Sequence, residues 1–248
     1  MQRLPVFLAA SLFLHGTPVA AADEEVHWSY QGKSGPSQWG TLKTEFQQCG
    51  LGKLQSPVDI QGEKTADLPA LQFDYRTVPL HLVNNGHTLQ VNVPPGSFLT
   101  VGDKRFQLTQ FHFHHPSENK LHGKGFPLEA HLVHQDAEGN LAVVGVLLAA
   151  GKPNPVIAAL WKHLPPKGKE NTPEGVSVDP AGLLPAKRTY YTFTGSLTTP
   201  PCSESVTWFL LRTPMSISKD EVATFAAEYP GNARPVQPLN GRSVQASK

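Results

Sequence analysis

The chain has 248 residues, 39% of them apolar and 17% charged, with 21 Lys and Arg against 20 Asp and Glu. A net charge of +1 gives no electrostatic basis for binding nucleic acid or an anionic membrane. The apolar content excludes a disordered chain, and the length suffices for one large domain with a full core. In chain order, the first element is a targeting segment. Arg3 supplies a positive start, residues 4–14 are mostly apolar, and Ala20-Ala21-Ala22 forms a small-residue cleavage site. This predicts a signal peptide over residues 1–22, cut near Ala22, and a mature chain over 23–248. The apolar run is short for a membrane span, so the mature protein is expected without an anchor, in the periplasm or secreted. Removal of Arg3 leaves 20 basic against 20 acidic residues, a balance that permits self-association without showing it.

Export makes the cysteines interpretable. Cys49 and Cys202 are the only two, and an oxidising compartment favours one disulfide between them. It would close a loop of about 150 residues, worth roughly 5 kcal/mol at most in the loop-entropy account.

Short β-type runs follow at residues 79–83, 88–93, 98–101, 105–108, 128–134, 141–148 and 206–211, broken by 23 Pro and 21 Gly. Many short strands with frequent turn signals predict a mainly β domain. Helix signals are few. Residues 155–164 begin at Pro155 and stop before Pro165-Pro166, and Ser218-Lys219-Asp220-Glu221 is a capping-box start.

Three histidines stand out, in Gln110-Phe111-His112-Phe113-His114 and Glu129-Ala130-His131. On a strand, side chains alternate with period 2. Gln110, His112 and His114 therefore share one face, and Phe111 and Phe113 the other. On the second run Glu129, His131 and Val133 share a face, with His134 opposite. Three neutral imidazoles leave a fourth tetrahedral position open, the layout of a catalytic zinc. Gln110 and Glu129 can each accept a ring N–H from a ligating histidine.

With these residues in view, the chain resembles the α-class carbonic anhydrases, close to their bacterial exported branch. The resemblance rests on His27-Trp28-Ser29-Tyr30, Gln55-Ser56-Pro57-Val58-Asp59-Ile60, Asn84-Asn85-Gly86-His87, the two histidine runs, Leu141-Ala142-Val143-Val144-Gly145, Gly195-Ser196-Leu197-Thr198-Thr199-Pro200-Pro201 and Arg234-Pro235-Val236-Gln237-Pro238, in order and at matching spacing. It implies an α+β, mainly β fold: a large, twisted, mostly antiparallel sheet of about ten strands with short peripheral helices. It implies reversible hydration of CO2 to bicarbonate and a proton, through hydroxide formed on Zn2+ held by His112, His114 and His131.

The resemblance also assigns the surrounding residues. Thr198 is the gatekeeper, donating its hydroxyl proton to Glu118. Val133, Val143, Leu197, Val206 and Trp208 form an apolar wall for CO2, with Thr199 alongside. His87 relays the proton, and Tyr30, Asn85 and Gln90 line its polar path. His134 is expected to be a satisfied core histidine, His115 and His122 to lie beyond the ligand strand, and His27, His81 and His163 to be superficial or structural. Sulfonamides and small anions are the expected inhibitors, and a monomer or homodimer the expected assembly. Some relatives of this family have lost their ligands and serve as silent binding modules. That alternative is disfavoured because all three ligand histidines, Thr198 and Glu118 are present.

Overall fold

The computed structural model describes residues 27–248. The expected signal peptide and its cleavage site lie outside these residues. No helix among them is long and apolar enough to cross a membrane.

A thirteen-stranded sheet dominates. Ten strands follow one another across it in the order Glu170–Asn171, Leu82–Asn84, Leu89–Asn92, Lys104–His114, Leu128–Gln135, Leu141–Ala150, Glu204–Leu211, Tyr190–Ser196, Gln245–Ser247 and Lys64–Ala66. The sheet is larger than the expected ten strands, and it is mixed. Leu141–Ala150 runs parallel to both Glu204–Leu211 and Met215–Ile217, and Gln245–Ser247 runs parallel to Lys64–Ala66. The run expected at 105–108 and the Gln110–His114 run are one continuous eleven-residue strand.

Alternation along the central strands divides the core between two faces. Phe111, Phe113, Ala130, Leu132, Val144 and Val146 join the larger apolar cluster. Val133, Val143, Leu147, Val206 and Trp208 join a second cluster on the face that carries the three histidines. Leu141–Ala150 is buried over most of its length because it supplies both cores, which is why its sequence is continuously apolar rather than alternating.

The two expected helices are present. Pro155–Trp161 ends ahead of Pro165-Pro166, and Asn154 caps it by accepting from Val156 N and Ile157 N. Lys219–Glu228 carries both halves of the Ser218/Glu221 capping box.

The Leu128–Gln135 strand pairs with the ligand strand in regular register up to Val133 and slips one residue before His134. Thr109 is the extra residue, and its hydroxyl donates to Val133 O at 3.0 Å. Beyond the slip, His134 is fully buried. Its Nε2 meets the Tyr75 hydroxyl at 2.6 Å, and its Nδ1 donates to Ala142 O at 3.3 Å. Burial pushes the His134 ring down to about 4. The unfolded chain therefore binds a proton between pH 6.5 and 4 that the folded chain refuses, so stability falls as pH drops through that window. We expect His134→Gln to reduce the loss of unfolding free energy between pH 7 and pH 4.5 by roughly 2 to 3 kcal/mol. Urea titrations at the two pH values check this, and equal losses in both proteins would refute it.

Candidate metal centre

The centre is built from two adjacent antiparallel strands. His112 lies directly opposite His131, His114 opposite Glu129, and Gln110 opposite Val133. Side chains facing each other across such a pair have Cβ atoms about 5 Å apart, so register alone brings the imidazoles together. One ring nitrogen from each of His112, His114 and His131 lies within 4.8 Å of the others. His114 and His131 are buried, and His112 is half-buried.

Two of the other ring nitrogens are hydrogen-bonded, and a third stands beside a carboxylate. His112 Nδ1 donates to Gln110 Oε1 at 2.8 Å, and His114 Nδ1 to the Asn232 carbonyl at 2.8 Å. His131 Nε2 lies 3.1 Å from Glu129 Oε1. Asn119 donates to both oxygens of Glu129, at 2.7 and 2.8 Å. These contacts and His131 keep the Glu129 carboxyl below its usual range against the opposing effect of burial. Burial lowers the pKa of His112 and of His114, so both are neutral at pH 7. What remains is one nitrogen of His112, the buried and unpartnered Nε2 of His114 and one nitrogen of His131, close enough to share an ion. Three clustered, pre-oriented imidazoles of this kind suit a divalent ion of the zinc class.

Glu118 sits against this group. Its Oε2 is 3.5 Å from His114 Nε2 and 3.9 Å from His131 Nδ1, and its side chain is fully buried. Burial pushes its carboxyl up to about 7, opposed by His131, by the Thr198 hydroxyl and by the Arg234 backbone N–H, which donates to Oε1 at 2.7 Å. Thr198 and Glu118 are thus hydrogen-bonded neighbours. Burial, and secondarily the Glu118 charge, hold Tyr30 well above its ordinary phenol pKa.

Val133, Val143, Val206 and Trp208 lie on three adjacent strands. Val133, Val143 and Trp208 occupy successive register positions, and Val206 follows on the Trp208 strand. The Trp208 ring meets His131 edge-on at 4.9 Å, and its Nε1 donates to Ser196 O. Leu197 packs on the same cluster, half-buried. His87 lies further out, its ring stacked 3.7 Å from Trp28. Tyr30 is 6.5 Å from it. Asn85 Oδ1 accepts from both His87 N and Thr88 N, so its carbonyl is committed to the turn that presents His87. Gln90 pairs in register with His112 and donates to Asn92. His115 Nδ1 donates to Pro127 O at 2.8 Å, just past the ligand strand, and His122 lies in a turn 3.5 Å from Glu63. His81 meets Glu170 at 2.9 Å.

Three contributors escaped the sequence reading. Asn232 orients His114 through its carbonyl, accepts His115 N on its side chain, and donates to His87 O and Phe113 O. Gly145 lies opposite His131, where a Cβ would come within 3.0 Å of Glu129 Oε1 and 2.8 Å of Leu210 Cδ1. Arg234 is 2% exposed, and its guanidinium donates to Gln55 Oε1, Ser56 O and Cys49 O.

The Cys49–Cys202 disulfide is formed, across a sequence separation of 153. Both of its ends reach the centre. Cys202 N donates to Thr199 O at 2.8 Å, closing the turn that follows Thr198. Cys49 O accepts from Arg234, whose backbone holds Glu118. Reduction should therefore lower activity as well as stability, the latter by up to about 5 kcal/mol. The check is kcat/KM of reduced protein that circular dichroism shows to be folded; a value equal to that of the oxidised protein would refute the coupling.

Comparison with known proteins follows the same lines. Residues 34–248 match the family described as eukaryotic-type carbonic anhydrase. A carbonic anhydrase of Nostoc sp. is 44% identical over 90% of this chain and 87% of its own. A hyperthermostable carbonic anhydrase from a hydrothermal vent chimney superposes with a TM-score of 0.87 at 46% identity, covering 90% of this chain and all of its own. The α-carbonic anhydrase of Thermovibrio ammonificans, solved with the inhibitor sulfanilamide, gives 0.85 at 42% identity, over 89% of this chain and 99% of its own. The architecture, the three-histidine cluster and the match over most of the chain agree: this protein belongs to the α-carbonic anhydrase family.

Proposed function

We propose that the chain is a zinc enzyme that interconverts CO2 and water with bicarbonate and a proton. The observation that carries this reading is the convergence of three imidazole nitrogens beside a buried Glu118–Thr198 pair. His112, His114 and His131 would hold the metal, which lowers the pKa of a bound water from about 15.7 to about 7 and supplies a nucleophile at neutral pH.

The protein's own groups do the rest. Gln110, Asn232 and Glu129 fix ring orientation and tautomer. A hydroxyl has one donor. Burial leaves Glu118 poised near neutrality, and a divalent ion beside it would favour the carboxylate; with its donor committed to that carboxylate, Thr198 would present only an acceptor to the reacting group and set its orientation. Val133, Val143, Leu197, Val206 and Trp208 offer an apolar surface to an apolar substrate, and Thr199 would stand alongside it. His87, whose pKa burial lowers, is neutral at pH 7 and ready to take up the released proton, and Tyr30 and Asn85 line its approach. The sulfanilamide complex of the Thermovibrio relative supports sulfonamides as inhibitors here. The disulfide supports an exported protein, as the sequence of residues 1–22 predicts.

Stopped-flow CO2 hydration tests the reading. In weakly buffered solution His87→Ala should turn over about 100-fold more slowly than the zinc-loaded parent, and added imidazole should restore the rate. Equal rates without imidazole would remove His87 from the mechanism.

A further inference from the structure

Arg234 is a buried cation whose guanidinium meets no carboxylate. The residue is 2% exposed, and burial lowers its pKa only to about 10, so it is charged at neutral pH. Its guanidinium donates to three neutral oxygens, Gln55 Oε1, Ser56 O and Cys49 O. Glu118, the carboxylate whose charge it feels, accepts from the Arg234 backbone N–H instead. A guanidinium has five N–H donors. Nη1 uses two of them and Nη2 one, and Nε is buried with no partner. Nε–H and one N–H of Nη2 are therefore left over. These two nitrogens are neighbours on one edge of the plane, spaced to receive both oxygens of a carboxylate. Trp39 covers the guanidinium from one side, 5.7 Å from its ring centroid.

Arg234 also forms part of the wall of a cavity of about 620 Å³. It is the only charged residue in that wall, so nothing there repels an anion. The ligand histidines, Glu118 and Thr198 take no part in it. Pro36, Pro235 and Leu51 give it apolar surface, and Leu51, at 70% exposure, is the most exposed large apolar side chain among the described residues. A buried charge without a counter-charge is costly, and the low-dielectric surroundings that make it so also strengthen its attraction for an anion.

We infer that this cavity binds a small monocarboxylate with an apolar body, its two oxygens on the Nε–Nη2 edge of Arg234 and its hydrocarbon against Leu51, Pro36 and Pro235. Seating the guest needs a small shift of the wall, because Nε itself is closed to water. The site is separate from the metal centre and does not depend on its chemistry. Arg234 also holds Cys49 O and Glu118 Oε1, so a guest on its guanidinium braces contacts that exist only in the folded chain and stabilises the fold by mass action.

The test titrates butyrate into the zinc-loaded, oxidised protein at constant ionic strength and follows backbone amide resonances. Those of Gly50 and Leu51, both in the wall, should shift saturably, with half-saturation in roughly the millimolar range. Butyramide, the neutral analogue, should bind about tenfold more weakly. Leu51→Ser, at an exposed position away from the metal centre, should weaken butyrate about fivefold. Arg234→Lys keeps the charge but loses the paired donors, and a folded sample should show no saturation. Shifts that stay linear with butyrate, or that butyramide reproduces at equal concentration, would overturn the site. An unchanged half-saturation in Leu51→Ser would overturn the placement of the apolar body. Should Arg234→Lys fail to fold, the butyramide and Leu51→Ser comparisons still decide. Shifts confined to residues around His131 would put the carboxylate on the metal and overturn the cavity.

Discussion

His114→Ala is expected to yield a folded protein that holds no stoichiometric zinc and hydrates CO2 no faster than buffer. The expectation follows from where His114 stands. Its Nε2 is buried and without a protein partner, and its Nδ1 is held by the Asn232 carbonyl. Substitution therefore removes one of the three clustered nitrogens. Loss of an outer-sphere partner costs metal affinity roughly 10- to 100-fold, and loss of a ligand must exceed that. The strand itself should survive, since its pairing with Leu128–Gln135 is made by the backbone. Zinc content after dialysis, circular dichroism and stopped-flow rates read the three parts separately. A folded variant that kept one zinc and the parental rate would remove His114 from the centre.

The second large effect is expected at the Glu118–Thr198 pair. Thr198→Ala and Glu118→Gln should each lower kcat/KM by about 10²- to 10³-fold with zinc fully retained, the usual cost of losing one preorganised polar group in a buried site. Glu118 is 1% exposed, and its Oε1 accepts from Arg234 N. A glutamine can keep that bond through its carbonyl oxygen. It then turns an amide donor towards Thr198, and the hydroxyl is free to donate in the wrong direction. Because the two residues act as a unit, the double variant should be scarcely slower than the slower single variant. Multiplicative losses would show that they act independently.

The centre was legible in the sequence to the extent that it is local. Period-2 alternation put His112 and His114 on one face, and the same rule put Glu129 beside His131 and His134 opposite. What the alternation cannot give is register, and it is register that sets His112 against His131. Asn232 escaped because it reaches His114 through a backbone carbonyl, from 118 residues away, and a carbonyl leaves no trace in residue type. Arg234 stood in view only as part of a motif; its burial against Cys49, Gln55 and Glu118 belongs to the packed fold. Gly145 looked like one residue of an apolar run, and its lack of a side chain matters only once Leu210 and Glu129 flank it.

The fold shows the same division. The runs with strong β character appeared as strands, but the parallel pairings of Leu141–Ala150 depend on chain crossings that no short window records. Tyr190–Ser196 went unread as a strand because Thr and Gly interrupt its apolar pattern. It pairs on one side with Glu204–Leu211 and on the other with Gln245–Ser247, whose own three residues carry no β signal.

On the reading proposed above, the three-histidine centre makes this chain a zinc-dependent hydrator of CO2. The most direct measurement is stopped-flow CO2 hydration on the oxidised protein, with zinc quantified, before and after chelator stripping and after zinc add-back. A fast rate that vanishes with the metal and returns in proportion to zinc bound, saturating at one per chain, is the predicted result. A folded, zinc-loaded protein that shows no rate above buffer would contradict it.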